Sequence, residues 1–420
     1  MKTNRFFQLI LLLLSLVACS PSKETFRNIY QLTLEKDFFQ ADVLITENRE
    51  KLTKQHQSIL QAKIDNAFNK NENSQKNINY ILENHSSLED SILVDLYKTK
   101  IDNEFKRYQY KSAKESLEKL FKNFKAYFTE EEITDLKNQL KIYSALKNIP
   151  PQKIDKLKDL FIVMSKDVAG LNNLPVSTAL DTSNFIFDTG ANLSVISKTT
   201  SQKLEVDILP NSDIEVDALT GNTVLAKLGW VKELKIEHIT LQNVIFLVFQ
   251  DKDLAFPSIN YQINGILGYP VIAALGEVHL GKDGSFKVPK ITPTNGRYRN
   301  LALDELTPIV KIDTMLYTFD TGASTTMLYP GYFQQNKEFI EENYKEETIQ
   351  LGGAGGTKSY QAYTIEHTIN EFDKPVELNV TLLKNKEQRF KSIMGNLGQD
   401  YLGHFKNMVL NFKAMYINLK

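Results

Sequence analysis

The sequence predicts a multidomain chain: an N-terminal all-α region of helical-hairpin repeats, then an all-β region of two equivalent lobes. Three observations carry this. Residues 24 to about 150 contain no glycine and space their apolar residues three and four apart. Beyond Pro150-Pro151, short runs of Val, Ile, Phe and Thr alternate with Gly, Asn, Asp and Pro. Inside that second region, one short motif and its surroundings occur twice.

The chain opens with a basic start, Lys2 and Arg5, and an apolar run from Phe6 to Val17 that is short for a membrane span. Small residues close it, so residues 1–18 read as an export signal. The sequence Leu16-Val17-Ala18-Cys19 resembles the lipobox of bacterial lipoproteins, and Cys19 is the one cysteine of the chain. That resemblance implies lipid attachment at Cys19 and a lipid-anchored tether over residues 19–25. It places the protein in the cell envelope, on a bacterial membrane, facing the periplasm or the cell surface. A lone cysteine leaves nothing for an internal disulfide, so stability must come from core burial, for which the chain is long enough.

Residues 26–150 form the expected helical domain. Leu93, Leu96, Tyr97, Ile101, Phe105 and Tyr108 trace one apolar helical face. Lys63-Ile64-Asp65-Asn66-Ala67-Phe68 is echoed by Lys100-Ile101-Asp102-Asn103-Glu104-Phe105, 37 positions later. Such a period suggests stacked helical hairpins. They can serve as a docking surface for a protein partner or as a spacer between membrane and β region.

The β region divides into lobes at 155–290 and 291–420, joined where Pro289, Pro293 and Gly296 cluster. Phe187-Asp188-Thr189-Gly190-Ala191 recurs as Phe319-Asp320-Thr321-Gly322-Ala323, 132 positions later. Gly265-Ile266-Leu267-Gly268 recurs as Gly395-Asn396-Leu397-Gly398 after 130, and Ile236-Glu237-His238 as Ile365-Glu366-His367 after 129. Three collinear matches at nearly one offset predict two lobes of one fold, and predict that His238 and His367 hold equivalent structural positions.

The repeated aspartates suggest a chemistry. A water that attacks a peptide carbonyl needs one group to take its proton and another to protonate or polarise the carbonyl oxygen. Two carboxyls about 3 Å apart, sharing one proton, supply both. Two equal lobes related by a pseudo-twofold bring equivalent side chains face to face. Asp188 and Asp320 are therefore the candidate catalytic pair, each at the end of an apolar strand. Gly190 and Gly322 permit a tight turn with a backbone N–H toward the carboxylate. Thr189 and Thr321 can bond across the lobe interface and lock the pair.

On these residues the β region, from about 155 to 420, resembles the pepsin and retropepsin superfamily. The matching positions are Asp188-Thr189-Gly190 with Ile266-Leu267-Gly268, and Asp320-Thr321-Gly322 with Asn396-Leu397-Gly398. The resemblance implies a bilobal aspartic protease fold, a peptide or protein substrate, no cofactor, and a site completed within one chain. The short lobes and Ala after each motif are closest to retropepsin-like lipoproteins of bacteria. Hairpin tips about 32 residues after each Asp are flap candidates: Thr220 and Gly221 in the first lobe, Gly352, Gly353, Gly355 and Gly356 in the second. Three departures matter, the first being that no tyrosine stands in the stretch where pepsin-like enzymes carry one on the flap. Asn396 stands where an apolar residue is usual. Ala191 and Ala323 replace hydroxyl residues whose donation would lower the dyad pKa, so activity is expected to reach nearer neutrality than in pepsin-like enzymes.

Other chemistries fit poorly. Lys plus Arg is 50 and Asp plus Glu is 51, a balance that argues against a nucleic-acid partner. Six scattered histidines form no zinc-ligand run, and no Gly-x-Ser-x-Gly elbow or phosphate loop is present. Three readings remain from the sequence: a membrane-anchored endopeptidase, a non-catalytic peptide-binding lipoprotein, and an assembly lipoprotein that uses the fold as a platform.

Overall fold

The computed structural model describes residues 21–84, 88–217, 223–296, 298–353, 356–371, 374–385 and 390–420. The expected export signal 1–18, Cys19, Thr220, Gly221 and Gly355 lie outside the described residues.

A helical region precedes a β-rich region. Its helices are α1 (Pro21–Leu34), α2 (Phe38–Glu47), α3 (Lys54–Ala67), α4 (Asn71–Asn84), α5 (Asp90–Lys106), α6 (Tyr110–Phe124) and α7 (Glu130–Leu146). Residues 21–25, expected in a tether, instead begin α1. The cause lies just beyond them. Phe26 and Ile29 are buried, and the Phe26 ring stacks on His56 at 4.2 Å, so the apolar face draws this segment into the domain. Polar side chains cap three of the later helices. Asp37 caps α2, Thr53 caps α3, and Thr129 with Glu132 forms a reciprocal capping box on α7. The two echoed segments fall toward the ends of α3 and α5 and meet there. Asn66 Nδ2 donates to Asp102 Oδ2 at 2.6 Å and to Asn103 Oδ1 at 3.0 Å, while Lys63 pairs with Asp95 at 2.6 Å.

The first lobe contains β1 (Lys153–Lys156), β2 (Leu160–Val163), β3 (Ser165–Lys166), β4 (Asn172–Ser177), β5 (Thr182–Phe187), β6 (Ser194–Ser197), β7 (Asp207–Asp217), β8 (Thr223–Ile236), β9 (Ile239–Phe249), β10 (Ala255–Phe256), β11 (Tyr261–Gln262), β12 (Gly265–Leu267), β13 (Glu277–Gly281) and β14 (Ser285–Val288). Short helices α8 (Lys198–Lys203) and α9 (Tyr269–Leu275) interrupt it. The second lobe contains β15 (Leu301–Asp304), β16 (Thr307–Ile312), β17 (Met315–Phe319), β18 (Met327–Leu328), β19 (Glu346–Gly353), β20 (Gly356–Glu371), β21 (Lys374–Leu383), β22 (Ile393–Leu397), β23 (Asn407–Asn411) and β24 (Tyr416–Leu419). Its helices are α10 (Pro330–Gln335), α11 (Lys337–Asn343) and α12 (Gln399–Leu402).

The lobes share one wiring. The order β9-β6-β12-β5-β4 in the first is matched by β21-β18-β22-β17-β16 in the second. In each, the strand before the Leu-Gly turn runs parallel to the strand that ends in Asp and antiparallel to the strand behind it. Such parallel centres are covered on both faces, which the sequence shows as continuous apolar runs. Val244 to Phe249 in β9 are all buried. A separate sheet, β2-β14-β13-β23-β24, joins the lobes through antiparallel pairing of β13 with β23, from Glu277↔Asn411 to Gly281↔Asn407.

The histidine equivalence does not hold. His238 lies in the turn between β8 and β9, half-buried, with Nε2 3.3 Å from the Lys158 carbonyl. His367 lies inside β20, opposite Leu378, buried against Tyr332. The second-lobe hairpin turns several residues later along its strand, so the repeated Ile-Glu-His triplet lands on different parts of the same element.

The helical region packs directly on both lobes. Lys36 pairs with Asp304 at 2.6 Å, Asn69 Nδ2 donates to the Phe412 carbonyl at 3.0 Å, and the Arg299 guanidinium sits 4.3 Å over the Phe68 ring. Helix α7 lies along β7. There Asn138 binds the backbone of Glu215 twice, donating to its carbonyl at 2.6 Å and accepting from its N–H at 3.1 Å.

Candidate active site

Each candidate aspartate is fixed by an apolar strand end. Phe187 and Phe319, the residues before Asp188 and Asp320, are fully buried, and Phe187 meets Phe286 edge-on at 5.4 Å. The backbone N–H of Asp188 donates to the Leu267 carbonyl at 3.2 Å, and that of Asp320 to Leu397 at 3.0 Å. Behind the turns, Tyr269 N–H donates to Ala191 O at 2.8 Å and Gln399 N–H to Ala323 O at 2.9 Å. The Leu-Gly segments thus thread between the Asp turn and the next strand in both lobes. Glycine is required at those crossings. A Cβ at Gly268 would stand 2.5 Å from the Leu193 carbonyl carbon, and one at Gly398 2.6 Å from that of Thr325.

The structure brings the two Asp-Thr-Gly turns together. Thr189 Oγ1 donates to the Phe319 carbonyl at 2.9 Å, and Thr321 Oγ1 to that of Phe187 at 2.7 Å. Each hydroxyl also accepts the opposite threonine's N–H at 3.0 Å. Both threonines are buried, so the four bonds form away from bulk water. Gly190 lies against Asp320 and Gly322 against Asp188. A Cβ on either would stand 2.5 Å or 2.2 Å from the opposite carboxyl carbon. Neither position can carry a side chain without moving an aspartate.

The carboxyl groups face each other within hydrogen-bonding reach. Asp188 Oδ1 accepts from Gly190 N–H at 2.8 Å and Ala191 N–H at 3.2 Å; Asp320 Oδ1 accepts from Gly322 N–H at 2.8 Å. Enclosure by the protein holds the Asp188 carboxyl well above the usual aspartate range, and the charge of Asp320 and the bond between them push the same way. The backbone donors at Gly190 and Ala191 oppose this and lose. Both side chains keep partial exposure, so solvent reaches the pair. The arrangement can hold one proton between two carboxyls and bind a water across them.

Several supporting residues went unnoticed in the sequence. Ser194 Oγ accepts the Gly268 N–H at 3.1 Å, and Thr326 Oγ1 accepts the Gly398 N–H at 3.1 Å. Both hydroxyls lie six positions after their Asp, a repeat that the duplication makes visible once the lobes are aligned. Gln399 Nε2 donates to the Thr321 carbonyl at 2.7 Å. Of the flap candidates, Gly352 and Gly353 end β19 and Gly356 begins β20, with Gly353 paired to Gly356. A Cβ on Gly352 would lie 3.5 Å from the Phe256 ring, so this second-lobe hairpin reaches the first lobe. Among the described residues, no three His, Cys, Asp or Glu side chains lie together as metal ligands.

Comparison with known proteins finds similarity over part of the chain. A family model described as aspartyl protease matches residues 171–271, the span that carries Asp188 and Ile266-Leu267-Gly268. Among solved structures, the chain is similar to a retropepsin-like aspartic protease from Rickettsia conorii. The match has 16% identity, a TM-score of 0.23, and covers 31% of this chain and 91% of that one. No curated protein matches.

Proposed function

We propose that the protein is an aspartic endopeptidase whose Asp188 and Asp320 activate a water to hydrolyse peptide bonds. The observation that carries the reading is the pair of Asp-Thr-Gly turns, locked to each other by Thr189 and Thr321. The aspartyl protease model over residues 171–271 supports it independently.

The geometry suits a cycle that conserves one shared proton. The ionised carboxylate takes a proton from the bound water as its oxygen attacks the scissile carbonyl carbon. The protonated carboxyl gives its proton to the carbonyl oxygen, and a neutral tetrahedral diol forms. Collapse of the diol breaks the C–N bond. The proton taken from water passes to the leaving nitrogen, and a diol proton returns to the dyad. Backbone N–H groups from Gly190, Ala191 and Gly322 orient the carboxyls at no reorganisation cost. The second-lobe hairpin at Gly352 and Gly353, reaching Phe256, is suited to cover a peptide laid along the dyad.

The test is cleavage of an unbiased peptide library across pH, with product sequencing. Turnover is expected with an optimum above about pH 4, since Ala191 and Ala323 offer the carboxylates no side-chain donor. Absence of cleavage at every pH favours the non-catalytic peptide-binding reading.

The same reading places the enzyme at a membrane through lipid on Cys19, supported by the apolar leader that ends in Leu16-Val17-Ala18. Cells fed a tagged fatty acid are expected to label the protein, and Cys19→Ala to abolish the label. Labelling that survives the substitution contradicts the anchor.

A further inference from the structure

The lobes share one wiring, but the residues behind their aspartates differ. In the first lobe, β12 pairs with β5 through Ile266↔Ile186, and both side chains are buried. The equivalent pair in the second lobe is Asn396↔Thr318. A polar pair therefore replaces an apolar one at the same register, beside the other aspartate.

That polar pair is connected. Asn396 Nδ2 donates to Asp320 Oδ2 at 3.3 Å, and Thr318 Oγ1 donates to Asn396 Oδ1 at 2.6 Å. The Thr318 hydroxyl lies 3.4 Å from Tyr329 Oη. Burial raises the Tyr329 pKa, and the charge of Asp320 adds to this against the Thr318 bond, so the phenol stays protonated and can donate. The bond from Thr318 fixes the amide with its NH₂ toward Asp320. In the first lobe, Ile186, Ile266 and Ser197 occupy the three equivalent positions. The described donors to Asp188, apart from Asp320, are backbone N–H groups, and the Ala191 N–H is shared with the Asp188 carbonyl at 3.4 Å.

We infer that Asn396 is a positioning residue that sets the direction of the shared proton, making Asp320 the ionised base and Asp188 the protonated acid. A side-chain donor lowers the energy of charge on the carboxylate it meets, and an isoleucine pair offers nothing comparable. Among the described residues, the titratable groups facing the pair are the two aspartates and Tyr329. Asp400, on α12, is held by the N–H and hydroxyl of Thr326. This assignment rests on the shared-proton reading of the site but not on turnover.

The test is an NMR titration of the full chain with ¹³C-labelled aspartate carboxyls, run beside peptide cleavage. In the wild type, Asp320 is expected to ionise at lower pH than Asp188. Asn396→Ile, which copies the first-lobe residue, should move the Asp320 step upward by about one pH unit, tenfold in the ionisation constant. The acid limb of the cleavage profile should move with it and the alkaline limb stay, because the donor favours charged Asp320 in both the mono- and dianion. Thr318→Val preserves side-chain shape and releases the amide, so it should shift the same step by a smaller amount, and it serves if Asn396→Ile fails to fold. Asp188 ionising first, or an Asp320 step unmoved by the substitution that folds, overturns the assignment. Ordered ionisation in a chain that cleaves nothing leaves the assignment standing and removes the peptidase reading instead.

Discussion

Asp320→Asn and Asp188→Asn are each expected to reduce peptide turnover by more than about 10³-fold while leaving the fold intact. Each change removes half of a two-group acid–base exchange, and an amide can neither take a water's proton nor pass one to a leaving nitrogen. The effect should fall on kcat, since each substitution changes only a reacting group. Stability should move the other way for Asp188→Asn. The folded Asp188 carboxyl is held well above the ordinary aspartate value of 3.8, by burial first and then by Asp320. A group whose pKa is raised by folding favours the fold below its unfolded value and loses that contribution as pH rises through the folded one. The wild type therefore carries a penalty at neutral pH that the variant lacks. Thermal melts should show Asp188→Asn above wild type at about pH 7, with the gap closing toward about pH 3. A variant less stable than wild type at both pH values contradicts this account of the pair.

The second large effect is expected at the threonines. Thr321→Ala deletes a hydroxyl that donates to the Phe187 carbonyl and accepts the Thr189 N–H. Two buried backbone groups would lose their partners, at about 1–3 kcal/mol each. A loss of about 2–5 kcal/mol in unfolding free energy follows, together with a fall in turnover, because the turns no longer hold the carboxyls in register. Thr321→Ser keeps both bonds and gives up only a methyl group, about 1 kcal/mol. Denaturant unfolding of the two variants, side by side, separates the hydroxyl from the methyl. Equal losses in Ala and Ser would mean that packing, not the interlobe bonds, holds the turns.

Much of this arrangement was legible in the sequence because duplication repeats short motifs at a constant offset. Phe-Asp-Thr-Gly-Ala and the Leu-Gly turns are constrained by backbone crossings that only glycine permits, so they survive in both lobes as recognisable strings. The Ile-Glu-His match misled because hairpin arms tolerate length changes, and a repeated triplet on such an arm need not keep its place relative to the turn. The start of α1 is hidden in the sequence because Phe26 and Ile29 lie close behind the polar Ser22-Lys23-Glu24, and only the burial of both, with Phe26 stacked on His56, shows that the helix reaches back. Asn396 was visible only as a departure. Its partners Thr318 and Asp320 lie far away in sequence, and strand register alone shows that the polar pair takes the place of two isoleucines.

The helical region also gained a role that its periodicity did not suggest. Helix α7 lies along β7, and Asn138 holds the Glu215 backbone by its N–H and carbonyl. The first-lobe hairpin is therefore braced from outside the β region, whereas the second-lobe hairpin reaches across to Phe256.

The central claim is that one chain carries one complete two-aspartate site. It is tested most directly by library cleavage with wild type, Asp188→Asn, Asp320→Asn and an equimolar mixture of the two variants, each over a dilution series. The account predicts wild-type turnover proportional to protein concentration, and a mixture as inactive as either variant alone. Turnover by either single variant, or activity restored on mixing, would contradict it.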